Sequence, residues 1–134
     1  MNRATRLVAL AAALAGIVAP AATALTQFST PSKNVGCIGD ATMLRCDIAQ
    51  TSVMPPKKPS SCEFDFGNYF SMTARGRSAR SCVSDSALGG KRIIAYGTSI
   101  KIGSFVCVSR RTDLRCTNRA SHGWSLNRTK ITLF

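Results

Sequence analysis

Six cysteines constrain this chain more than any other feature: Cys37, Cys46, Cys62, Cys82, Cys107 and Cys116. An even set downstream of an export signal reads as a disulfide framework rather than as chemistry. Spacing favours local pairs over the other connectivities. Cys37–Cys46 and Cys107–Cys116 each have the reach of a hairpin, which leaves Cys62–Cys82. The two short segments are also alike. Cys-Ile-Gly-Asp-Ala-Thr-Met-Leu-Arg-Cys (37–46) and Cys-Val-Ser-Arg-Arg-Thr-Asp-Leu-Arg-Cys (107–116) are both C-x6-L-R-C. On each returning strand, alternation puts Leu44 with Cys46, and Leu114 with Cys116, on one face. Arg45 and Arg115 are expected on the other. Zinc sites favour close Cys pairs and often His. Here no pair is close and His122 is the only histidine, so neither a metal nor another cofactor is expected.

The export signal is at the N-terminus. Arg3 and Arg6 precede an apolar run from Leu7 to Ala19, then Pro20 and the small-x-small site Ala22-Thr23-Ala24. That order is a secretory signal peptide over residues 1–24. The run is shorter than the roughly 18 apolar residues of a spanning helix, and no transmembrane segment is expected after cleavage. Residues 25–134 then form a single small disulfide-rich β domain, in the periplasm or outside the cell. A domain of this size buries about two-thirds of the surface of its unfolded chain, so staples contribute much of its stability.

The mature segment reads as strands and turns. Residues 25–36 are extended and turn at Pro31–Asn34. Pro55, Pro56 and Pro59 make 55–60 an exposed breaker. Glu63-Phe-Asp-Phe66 alternates like a strand, with Phe64 and Phe66 on one side. Residues 73–83 lead into a strand carrying Cys82. Further strand-like runs are Ile93–Tyr96, Ser99–Ile102, Phe105–Val108, Trp124–Leu126 and Ile131–Phe134. One short helix around 84–90 is the only helical candidate in the mature chain. The expected fold is mostly β: a small disulfide-stapled sheet or partly open barrel built from hairpins, preceded by a cleaved signal-peptide helix.

Phe28-x-Thr-Pro-Ser-x-Asn34-x-Gly36-Cys37 and Arg45-Cys46-Asp47-Ile48 resemble the opening of a domain-of-unknown-function family of small secreted, six-cysteine bacterial proteins. The likeness continues through Pro55-Pro56-x-x-Pro59-x-x-Cys62-x-x-Asp65-x-Gly67, Leu88, Tyr96-Gly97 and Phe105-x-Cys107. It runs on through Arg115-Cys116-Thr117-Asn118, Ser121-His122-Gly123-Trp124, Leu126-x-Arg128 and Leu133-Phe134. The resemblance implies an exported, cysteine-paired single domain and no particular activity. It also implies glycine where this chain has Lys33 and Ser121, and an acidic residue near Ser84-Asp85.

Without Arg3 and Arg6, 16 of the 18 cations remain against six acids, a net charge of +10. Arg75, Arg77, Arg80, Arg110, Arg111, Arg115 and Arg119 are candidate anion-binding residues, with further cations at Lys91-Arg92, Arg128 and Lys130. They suit anionic envelope polymers or lipid head groups on a basic outer sheet face, or serve only to keep the surface solvated. Aromatics are not interleaved with the arginines, which disfavours nucleic acid. For catalysis, His122 has serines and aspartates available but no G-x-S-x-G elbow. Glu63 and Asp65 could share a strand face as a carboxylate pair, but with so many arginines they are expected in ion pairs. The sequence therefore favours a non-catalytic, envelope-associated binding or structural module. The alternative is a secreted inhibitor or effector that binds another protein, with a small hydrolase a distant third.

Overall fold

Alternation of apolar and polar side chains sets the strands. Phe70 and Met72 of β4 (Tyr69–Thr73), Ile100 and Ile102 of β6 (Ser99–Ile102), and Phe105 and Cys107 of β7 (Phe105–Ser109) are buried, while their neighbours face outward. The computed structural model describes residues 12–19 and 24–134. The remaining strands are β1 (Thr26–Ser29), β2 (Val35–Gly39), β3 (Met43–Ile48), β5 (Ala79–Arg80), β8 (Leu114–Thr117), β9 (Gly123–Leu126) and β10 (Ile131–Leu133). The described residues contain no helix. The helix expected over 1–24 lies mainly outside them, and 12–19 is irregular and exposed.

The strands form two five-stranded antiparallel meanders, β1-β2-β3-β4-β5 and β6-β7-β8-β9-β10. They pack on a common core and do not close into a barrel. In each meander the second and third strands carry the staple. Cys37 faces Cys46 and Cys107 faces Cys116 in register. Their Cα atoms are 4.1 and 4.0 Å apart, the close spacing of a non-hydrogen-bonded antiparallel pair. The registers extend the likeness across the sheets. Phe28, Cys37, Cys46 and Phe70 form one cross-strand row, and Ile100, Cys107, Cys116 and Trp124 form the other. The C-x6-L-R-C repeat is thus the centre of a repeated five-stranded unit. The rows meet in the core. Phe70 and Trp124 rings lie 6.4 Å apart, and the sulfurs of Cys37, Cys46 and Cys116 lie within 4.8 Å of one another. These sulfurs belong to stacked disulfides, so they are packing groups and not thiolate ligands. The third disulfide, Cys62–Cys82, ties the long 49–68 loop to the periphery.

Several local expectations change. The 84–90 segment is irregular and is held against the outer face of the first sheet by side chains of Gln27, Arg45 and Asp47. Arg45 does face away from Leu44 and Cys46, but the 84–90 segment covers it and it is buried. Its Nε and Nη2 donate to Asp47 at 2.8 and 2.7 Å, and its Nη1 donates to Asp85 at 2.5 Å. Asp47 also accepts from the Ala87 N–H at 2.7 Å. Burial alone would lower the Arg45 pKa, but hydrogen bonds to the two carboxylates outweigh it and raise it. Gly36 permits this close approach, since a Cβ there would lie 2.6 Å from the Ala87 carbonyl oxygen. Ile93–Tyr96 and Glu63–Phe66 contribute single bridges, Ser29–Ile93 and Asp65–Val83, instead of strands. β5 ends before Cys82. Phe64 is 53% exposed, so that alternation marks a loop, not a core strand.

Lys33 and Ser121, the two positions where the resemblance implied glycine, have φ of 58° and 63°. A side chain in this left-handed region costs about 1–2 kcal/mol. Part of that gain is offset by the extra freedom glycine gives the unfolded chain. Lys33→Gly and Ser121→Gly are each expected to raise stability by about 0.5–1 kcal/mol, read as an upward shift in the denaturation midpoint.

Candidate anion-binding site

The turns between strands gather the arginines, and the topology sends alternate turns to opposite ends. At one end the β4–β5 turn carries Arg75 and Arg77, and the β8–β9 turn carries Arg119. Asn118 ties these turns together, donating from Nδ2 to the carbonyls of Thr73 and Gly76 at 2.9 and 2.7 Å. Arg75, Arg77 and Arg119 are all exposed.

At the other end the β1–β2, β7–β8 and β9–β10 turns surround an open cleft of about 320 Å³, lined by Arg110, Arg111 and Arg128. The β7–β8 turn is closed by Arg110, whose N–H donates to the Asp113 carbonyl at 2.9 Å. The Arg110 side chain donates from Nε and Nη2 to Asp113 at 2.7 and 3.0 Å. Ser125 Oγ donates to the same carboxylate at 2.5 Å. Burial would raise the Asp113 pKa, but the bonds from Arg110 and Ser125 hold it below the usual carboxylate value. The Arg111 guanidinium lies 5.0 Å from the Tyr96 ring centre. Arg128 donates from Nη1 to Gln50 Oε1 at 2.8 Å. Its backbone is fixed as well, because Asn127 Oδ1 accepts from the N–H groups of Thr129 and Lys130 at 2.8 and 2.6 Å.

The remaining two candidates belong to neither end. Arg80 lies over Phe70 at 5.1 Å and donates to the Gly67 carbonyl. Desolvation lowers its pKa. Arg115 covers Phe134 at 4.3 Å. The single basic sheet face expected from sequence is therefore divided between two ends and two aromatic contacts. His122 lies in the β8–β9 turn beside fully buried Trp124, and no serine or carboxylate hydrogen-bonds its ring among the described residues. Glu63 and Asp65 are exposed. Neither forms the ion pair expected of it among the described residues.

A family model described as a family of unknown function, DUF6636, matches residues 6–134. The chain belongs to DUF6636. No curated protein and no solved structure matches it. Three disulfides assign this DUF6636 protein to an oxidising, extracytoplasmic environment. Among the described residues no helix is long and apolar enough to cross a membrane. Sequence reasoning did not place Arg128 and Tyr96 in this cleft. Their signals were a basic tail segment and an aromatic before Gly97, both within motifs of the resemblance; the fold brings them to Arg110 and Arg111.

Proposed function

We propose that the protein is exported behind residues 1–24 and acts in the periplasm or medium as a binding module for anionic envelope material. The observation that carries this reading is how few cations the fold pairs with acids. Of the 16 cations after residue 24, only Arg45 and Arg110 form salt bridges among the described residues. Those bridges engage Asp47, Asp85 and Asp113, half of the six acids. The field outside the protein is therefore strongly positive at both ends, and it attracts polyanions and steers their approach. Exposed Met54 (86%) and Phe64 on the 49–68 loop favour a second reading, in which an apolar contact holds a protein partner.

Cosedimentation of the oxidised mature protein with vesicles tests the first reading. Phosphatidylglycerol vesicles should retain it at low salt and release it at least about tenfold at high salt, as screening removes contacts between exposed charges. Phosphatidylcholine vesicles should not retain it. Equal binding to both lipids, or binding indifferent to salt, contradicts the reading.

A further inference from the structure

We propose that the cleft between the β1–β2, β7–β8 and β9–β10 turns is a discrete subsite for a phosphate group carried on a sugar- or glycerol-sized body. This rests on, and narrows, the reading of the protein as a binder of anionic material.

The three cleft arginines are held from behind and open in front. Arg110 spends Nε and Nη2 on Asp113, which Ser125 fixes in turn. Among the described residues, the Arg128 guanidinium donates only from Nη1, to Gln50. Arg111 is steadied by the face of Tyr96, and its guanidinium donates to no protein acceptor among the described residues. Each guanidinium therefore keeps free N–H donors in a restricted orientation. Planar, bidentate donors of this kind match phosphate oxygens, and prior ordering lowers the entropic cost of binding. Among the described residues, Arg75, Arg77 and Arg119 at the opposite end have no such supports.

Charge and size agree with that ligand. Three guanidiniums against the single Asp113 carboxylate leave the cleft lining at +2. A phosphate monoester carries about −1.5 to −2 at neutral pH. The volume of about 320 Å³ is at the small end of ligand pockets, which span roughly 300–1,000 Å³. Ser32 and Thr129 add neutral hydroxyls at the wall, suited to a polyol.

The repeated fold supplies a comparison. Equivalent turns of the two meanders lie at opposite ends, so the cleft has a counterpart among the β6–β7, β2–β3 and β4–β5 turns. That counterpart is closed. Gly103, at φ 57°, packs so near Ala41 that a Cβ would approach its Cα to 2.7 Å, and the Ala74 N–H donates to the Thr42 carbonyl at 3.2 Å. The opening at the end that carries Arg110, Arg111 and Arg128 is a property of its own turns, not a consequence of the architecture.

NMR titration of the isotope-labelled, oxidised mature protein with glycerol 3-phosphate, at constant ionic strength, tests the subsite. Saturable shifts confined to the 30–34, 110–113 and 127–129 turns are expected, with a Kd of about millimolar or tighter. Arg111→Gln, at an exposed position, should weaken binding at least about tenfold without changing the fold. Arg75→Gln/Arg77→Gln/Arg119→Gln should leave it unchanged. Non-saturating shifts at both ends, or equal losses in the two variants, would overturn the subsite even if vesicle binding persists. Saturation in the cleft without vesicle binding would sink the broader function and leave the subsite standing. Competition by phosphatidic acid vesicles, under the same dependence on Arg111, assigns the phosphate to a lipid head group. Absence of competition assigns it to a soluble or polymer-borne ester.

Discussion

Replacement of Cys37, Cys46, Cys107 and Cys116 together by alanine is expected to leave the domain unfolded at room temperature. Each ten-residue loop that a staple closes is worth about 2.7 kcal/mol in the chain-entropy account. Together they approach the roughly 5–15 kcal/mol total stability of a small domain. Packing adds to the loss, because all four residues are 0–1% exposed at the meeting of the two sheets. Removing Cys37–Cys46 alone should cost about 3 kcal/mol and leave a cooperative fold. Mild reduction of the native protein should open Cys62–Cys82 first, since Cys82 is exposed. A quadruple variant that unfolds within about 1 kcal/mol of the unmodified protein would show that the stacked staples do not hold the sheets together.

Asp47→Ala is expected to cost about 3–5 kcal/mol, the loss typical when one partner of a buried ion pair is removed. Asp47 is 0% exposed and Arg45 is 9% exposed. Without Asp47, the one carboxylate left to Arg45 among the described residues is Asp85, whose side chain is 79% exposed, and the Ala87 N–H loses its acceptor. The 84–90 segment should then lift from the sheet, with faster amide exchange there than in β7 or β8. Replacing both charges, as in Arg45→Met/Asp47→Leu, should cost less than Asp47→Ala because no unpaired charge stays buried. A larger loss in the double variant on chemical denaturation would contradict that assignment.

These two sites differ in how legible they were. The staples and the inward faces of β3 and β8 followed from spacing and alternation, which are local. Arg45 did not, because alternation turns it away from the core and only the tertiary fold supplies a second layer over that face. Asp85 lies forty residues from Arg45, beyond any pattern in a strand. Likewise Phe64 and Ile93 have strand-like neighbours, yet a strand needs a ladder partner, and each of those segments finds a single bridge. The cleft was readable only in part. Arg110 and Arg111 stood out by charge, but Thr30 and Arg128 reach them through the turns of the two meanders, and Tyr96 through the segment that precedes β6. That repeat is masked in the sequence by unequal turns, above all the 49–68 loop.

Lys33 and Ser121, where the resemblance implied glycine, both hold positive φ and both lie in turns. The proposed function likewise rests on turns, since the arginines exposed at the two ends are carried on them. The most direct test is therefore the affinity of the oxidised mature protein for anionic envelope fragments, measured across a range of salt. If unpaired cations hold the ligand, log K should fall linearly with log salt, by roughly one unit of slope for each phosphate neutralised, and neutralising the end arginines should flatten the line. A flat line for the unmodified protein would contradict the account.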